Sequence, residues 1–174
     1  MRIQWNSYPS PLGPLTIVEE PGVGTLLVDF PGRAERLRWM DRLRAAAPRV
    51  QIGLGACAGT REWLDGYFHG ATDPFPFPYH LGRWFDLSPA QVVVMRALAD
   101  IPFAQTRSYE ALAQAAELHP RQVGQLLAAN HLVICIPCHR VVGKNGELVG
   151  YSGGLTRKRW LLDHELRTAG VVLR

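Results

Sequence analysis

The chain predicts an α/β fold in two parts. A small N-terminal lobe of sheet plus helices (residues 1–80) precedes a mainly helical C-terminal lobe (residues 86–174) that carries a helix-turn-helix. Three observations predict it. Strand-like alternation fills the first thirty residues around a Pro-Gly turn. A stretch rich in proline and aromatic residues, Asp73 to Phe85, interrupts the chain near its middle. Beyond it three helix starts follow closely, at Ser88-Pro89, Ser108 and Pro120. With 174 residues, 47% hydrophobic and 20% charged, the chain fits one ordinary domain or a small domain plus a subdomain, and its composition is globular.

In order along the chain, Leu15 to Val18 and Thr25 to Phe30 flank the turn Pro21-Gly22-Val23-Gly24 and predict a hairpin. Arg33 to Ala47 predicts an amphipathic helix with Leu37, Met40 and Leu43 on its apolar side. Thr60 to His69 predicts a second, burying Trp63, Leu64, Tyr67 and Phe68. Ser88 is a good N-cap and Pro89 suits the first helical position, so a helix runs on through Leu98. A helix from Ser108 to Ala116 and another from Arg121 to Ala129, joined by a tight turn, read as helix-turn-helix, with Arg121 at the start of the recognition helix. Leu132 to Ile136 reads as a buried extended run that carries Cys138 out of the core. Gly143 to Gly146 is a turn, Gly150 to Gly154 a flexible loop, and a last helix from Leu155 or Thr156 brings Glu165 back to the centre.

The net charge is +4, and it is unevenly spread: +1 over residues 1–85 and +3 over 86–174. Residues 121–160 hold six basic side chains (Arg121, Arg140, Lys144, Arg157, Lys158, Arg159) against one acid, Glu147. Such a field attracts a polyanion, although an ordinary solvated basic face explains the charge alone equally well. No run is long enough to span a membrane and the start is not a signal peptide. Three cysteines, Cys57, Cys135 and Cys138, make no disulfide framework; a reducing, cytoplasmic location is expected, or the nucleus in a eukaryote.

The chemistry concentrates in Ile136-Pro137-Cys138-His139-Arg140-Val141. A thiol reacts as thiolate, so a cysteine beside a histidine is a candidate nucleophile with its base, and Glu165 is a candidate third member. Cys135-Ile136-Pro137-Cys138-His139 also satisfies a haem-attachment pattern and contains a dithiol redox pattern. Haem attachment goes with export, and the redox pair normally sits just after an early strand and opens a helix. No second Cys-x-x-Cys or histidine pair supplies a zinc site. Cys135 is therefore read as a buried apolar cysteine.

Residues 101–165 resemble the O6-alkylguanine-DNA alkyltransferases. The resemblance rests on IPCHRV at 136–141, GYSGG at 150–154, Lys158, LLDHE at 161–165, SYEALA at 108–113, RQVG at 121–124 and Asn130. It extends more faintly through SPLGPLTI at 10–17 and LDGYFHG at 64–70. It implies a ribonuclease H-like N-terminal lobe and a single-turnover DNA repair protein. The thiolate of Cys138, activated by His139 and Glu165, takes the alkyl group from O6 of guanine as an irreversible thioether. Tyr109 serves a ring nitrogen of the leaving guanine. Tyr151 and Ser152 lie by O6, the carbonyl of Val141 binds the exocyclic amine, Asn130 braces the turn before Cys138, and Lys158 supports the site. Double-stranded DNA containing O6-alkylguanine is the implied partner, met through the minor groove by Arg121, Gln122, Gly124 and Arg140, with Arg121 filling the stack vacated by the flipped base. A monomer without cofactor, metal or membrane is expected. Four departures stand out: His131 replaces a proline after Asn130, Ala104 replaces the glycine of an Ile-Pro-x-Gly turn, the turn before Arg121 is about two residues shorter than usual, and Gln122 replaces a small residue.

Overall fold

The computed structural model describes residues 2–32 and 34–171. The chain divides into two compact units: Met1–Ala71 with Pro76–Leu87 and His131–Val133, and Thr72–Phe75 with Ser88–Asn130 and Ile134–Arg174.

The first unit is a sheet with helices. Strands β1 (Arg2–Ser10), β2 (Gly13–Glu20) and β3 (Gly24–Asp29) form an antiparallel meander, and β4 (Gln51–Leu54) adds parallel to β1, giving the order β3-β2-β1-β4. The hairpin expected around residues 21–24 is β2–β3. The short β4, Gln-Ile-Gly-Leu, carries too little pattern to be read in advance. Helices α1 (Ala34–Ala46) and α2 (Ala58–Phe68) pack on the sheet. In α1 the buried side chains are Trp39 and Leu43, followed by Ala47 just past its end, whereas Leu37 is 55% exposed. Of the expected apolar side, Leu43 is buried, Met40 is half-buried and Leu37 is not, because the core-facing stripe runs i, i+4 from Trp39; Arg33 lies outside the described residues. In α2 Thr60, Leu64 and Tyr67 are buried, while Trp63 and Phe68 stay partly exposed, with Trp63 stacked on Tyr67.

Two buried carboxylates tie this unit together. Glu19 accepts hydrogen bonds from the Thr60 N–H and hydroxyl, each at 2.6 Å, and Glu20 accepts from the Trp84 indole at 2.7 Å. Burial without such donors would be strongly unfavourable.

The second unit is mainly helical. Helix α3 (Pro89–Ala99) starts at a capping box, with the Ser88 hydroxyl accepting from Gln91 N–H and the Gln91 side chain accepting from Ser88 N–H. Helices α4 (Tyr109–Ala115) and α5 (Pro120–Ala128) form the helix-turn-helix, and α6 (Leu155–Thr168) closes the unit. The α4–α5 turn is a Schellman motif: Leu118 N–H reaches Ala113 O, Glu117 N–H reaches Gln114 O, and Glu117 takes φ +54°. Two-residue strands β5 (Arg107–Ser108) and β6 (Val141–Val142) pair in parallel.

Residues 132–136 are buried as expected, but they do not form a continuous extended run. Leu132 bridges to Val28, flanked by Val28 N–H to His131 O and Val133 N–H to Val28 O, both 2.9 Å. The chain then turns through Ile134 at φ +72°, a conformation unfavourable for a β-branched residue. No helix among the described residues is long and apolar enough to cross a membrane.

Candidate active site

Cys138 opens a single 3-10 turn, Cys138–Arg140, directly after Pro137. It is 3% exposed and lines a pocket of about 120 Å³ together with Tyr109, Gly124, Leu127, Ala128, Gly150, Tyr151 and Ser152. Helices α4 and α5 and the 150–152 loop thus supply its walls. Asn130, just past the C-terminal end of α5, sends one amide nitrogen to two acceptors, Ile136 O at 2.9 Å and Cys138 Sγ at 3.1 Å. The first bond fixes the turn. The second places a donor against the sulfur, which favours a charged sulfur over a neutral one.

His139 and Glu165 are wholly buried, and Nε2 of the imidazole lies 2.7 Å from Oε1. Glu165 is also held by Arg140, whose Nε and Nη2 approach both carboxylate oxygens at 2.9–3.2 Å, and by Ala104 N–H at 3.0 Å. Burial alone would raise the Glu165 carboxyl; His139 and Arg140 outweigh it and hold it down at about 2. Burial lowers the His139 imidazole below its usual 6.5 despite the pull of Glu165. These two tendencies agree if Arg140 provides the holding charge: Glu165 stays anionic while His139 rests neutral. The imidazole then carries its proton on Nε2, toward the anion. Nδ1, buried and with no hydrogen-bond partner among the described residues, keeps a lone pair.

Arg140 requires a correction. It was expected on the DNA, but it is 9% exposed, is committed to Glu165, and donates through Nη1 to Ile101 O at 2.6 Å, with its guanidinium 5.6 Å from the Phe103 ring centroid.

Lys158 is equally internal. Its buried ammonium donates to Val141 O at 2.5 Å, Val149 O at 2.7 Å and Gly150 O at 3.3 Å, and desolvation lowers it to about 8. All three protons are used, so Lys158 clamps the pocket loop from behind and has none left for a ligand. Tyr109 donates to Gly150 O at 3.1 Å; burial and the nearby Cys138 raise its phenol. A side chain at Gly150, where φ is +45°, would place Cβ 3.2 Å from the Tyr109 hydroxyl. Cys135 is buried, and desolvation raises its thiol strongly, which suits an inert core residue.

Arg121 and Gln122 are exposed on the first turn of α5, and Gly124, one turn past Arg121, lines the pocket. His131 is buried, its ring 3.6 Å from Trp39 by centroid and edge-on to Phe85. The departure from proline there is thus absorbed by aromatic packing within the first unit.

A thiol braced at the wall of a pocket, with a buried imidazole–carboxylate pair next to it in the chain turn and a helix-turn-helix lining the pocket, defines a protein that presents a cysteine to a partner through its helix-turn-helix. The comparisons with known proteins agree. Residues 89–167 match the family described as 6-O-methylguanine DNA methyltransferase, DNA binding domain. A methylated-DNA–protein-cysteine methyltransferase of Mycobacterium leprae is 36% identical over 168 residues, covering 94% of this chain and 92% of that protein. The inducible enzyme of that name from Bacillus subtilis is 46% identical over 106 residues, 59% of this chain and 56% of that protein. The crystal structure of Mycobacterium tuberculosis OGT in complex with DNA superposes with a TM-score of 0.72 at 29% identity, over 97% of this chain and 94% of that one. The chain belongs to the methylated-DNA–protein-cysteine methyltransferase family.

Proposed function

We propose that this protein repairs DNA by taking the alkyl group of O6-alkylguanine onto Cys138 in a single, irreversible turnover. The observation that carries the reading is the braced sulfur of Cys138 at a pocket backed by His139, Glu165 and Arg140. His139 Nδ1 takes the thiol proton, directly or through one water, and the adjacent Glu165 anion stabilises the imidazolium. The sulfur attacks the alkyl carbon in line; the S–C bond forms, the C–O6 bond breaks, and its electron pair leaves with guanine. The Tyr109 hydroxyl turns from Gly150 O to a ring nitrogen of the leaving base and neutralises it. The Val141 carbonyl, held by Lys158, retains a lone pair for the exocyclic amine.

The reactive carbon lies inside a duplex, so the base is turned out into the pocket. Arg121, one turn before the pocket-lining Gly124, fills the vacated stack, and α5 lies in the minor groove, whose readout is nearly sequence-blind. The protein acts as a monomer.

Mass spectrometry after mixing with a duplex containing O6-methylguanine tests the reading. One methyl on the peptide bearing Cys138, at a stoichiometry no higher than one, is expected. A bound but unmethylated protein would instead make this a lesion-binding module. Cys135→Ser should retain transfer; its loss in a folded protein would favour a dithiol mechanism. Arg121→Ala should impair transfer from duplex far more than from the free alkylated base, and equal losses would remove the finger role.

A further inference from the structure

We infer that Gln122 makes repair sensitive to the base pair beside the lesion, by presenting a fixed amide donor to the minor groove. The inference rests on the proposed reading that α5 lies in that groove.

The capping of α5 fixes the amide. Arg121 N–H donates to His119 Nδ1 at 3.2 Å, and His119 N–H donates to Gln122 Oε1 at 3.2 Å. A backbone N–H accepts nothing, so the amide oxygen has to face it; the flipped orientation would set donor against donor. Gln122 is itself exposed. With its oxygen committed inward, its remaining polar atom is the NH2 group, a pure donor. Position fits as well. Arg121, Gly124 and Ala128 follow at i, i+3 and i+7, the last two lining the pocket that receives the turned-out base. Gln122 stands on the adjacent flank, beside the Arg121 finger, where a neighbouring base pair passes.

The groove chemistry decides the consequence. Every pair offers acceptors there, purine N3 and pyrimidine O2, but a G·C pair adds the guanine N2 amino donor. A fixed NH2 group matches A·T and meets a second donor at G·C. Gln125, exposed three residues on, has no bond fixing its amide among the described residues, so it can turn either end outward and should not discriminate.

A·T-rich flanks also open more readily, and the third hydrogen bond of diaminopurine·T stiffens that pair too, so the substrate contrast is read against Gln122→Ala, which leaves the duplex unchanged. Single-turnover methyl transfer is measured from duplexes in which the pair next to O6-methylguanine is A·T or 2,6-diaminopurine·T, which differ in the minor groove by that amino group. The native protein is expected to act about three- to tenfold more slowly beside diaminopurine, the scale of one exchanged hydrogen bond. Gln122→Ala should bring the two rates together by at least about threefold, and Gln125→Ala should leave the ratio as it was. Equal rates in the native protein, or a ratio unchanged in Gln122→Ala, would overturn the inference alone. Absence of methyl transfer from any duplex would overturn the repair reading and the inference with it. Loss of the cap by itself lowers the melting temperature but does not change a ratio between two substrates, so the readout separates groove contact from helix stability.

Discussion

At the scale of single residues the site turns on Glu165. Hydrogen bonds from Arg140, Ala104 and His139 reach its two oxygens, and they divide the labour: Arg140 fixes the charge, Ala104 N–H fixes the orientation, and His139 uses the result. Arg140→Ala is therefore expected to do more than remove a cation. A buried carboxylate loses its main counter-charge, at a cost of about 3–5 kcal/mol by thermal or denaturant unfolding, and the transfer rate falls with it. The same network sets the acid response. Burial holds the His139 imidazole below 6.5, so as pH falls through 6.5 the unfolded chain takes up a proton that the folded one resists, and stability drops. Glu165, held at about 2 against an ordinary 4.5, contributes stability that is whole above 4.5 and is lost as pH falls from there toward 2. Melting temperatures from pH 7 to 5 should decline in the native protein and decline less in His139→Gln. Parallel curves would mean that His139 takes up its proton alike in the folded and unfolded chain, and a shallower decline in the native protein would mean that it is protonated when folded.

At the scale of elements the helix-turn-helix shows what a sequence conveys and what it hides. The starts of α3, α4 and α5 were legible because caps are local: Ser88, Ser108 and Pro120 announce themselves within a few residues. The turn between α4 and α5 was recognisable as a turn, yet not its Schellman geometry, because a glutamate rather than glycine occupies the left-handed position. Ala104, also left-handed at φ +58°, hides another such position, and its N–H reaches an acid 61 residues away that no local pattern predicts. Cys138, His139 and Glu165 were legible as a set from motif and spacing. The inward turn of Arg140 was not, because a solvated arginine and a buried one look alike in a sequence. Gly124 gives this element its sharpest test. A Cβ there meets nothing within 4 Å, and alanine is the better helix former by about 1 kcal/mol. Gly124→Ala should raise the melting temperature and yet slow transfer from duplex DNA, since only a bound nucleic acid would meet the added methyl. Unchanged transfer would place the groove-facing side of α5 elsewhere.

At the scale of the whole molecule the path of the chain matters more than either unit alone. Between Asn130, which braces Cys138, and Ile134, which begins the turn to it, the segment His131–Val133 belongs to the first unit. There Leu132 pairs with Val28, and His131 stacks on Trp39 against Phe85. Melting of the first unit therefore releases three residues whose two ends are both parts of the active-site turn, and the Ile134 backbone at φ +72° has no local reason to persist once that anchor is gone. Unfolding should accordingly be one cooperative transition, with far-ultraviolet circular dichroism and maleimide labelling of the buried Cys135 following the same midpoint. His131→Ala removes the stacked ring from the anchor and should lower both midpoints together, by about 2–4 kcal/mol for a buried aromatic truncation. It should leave the ratio of transfer from duplex to transfer from free base unchanged in the protein that remains folded, because His131 lies in aromatic packing and not on α5. Labelling of Cys135 well below the dichroism midpoint would show that the second unit loosens on its own, and that the passage through the first unit does not hold the nucleophile in place.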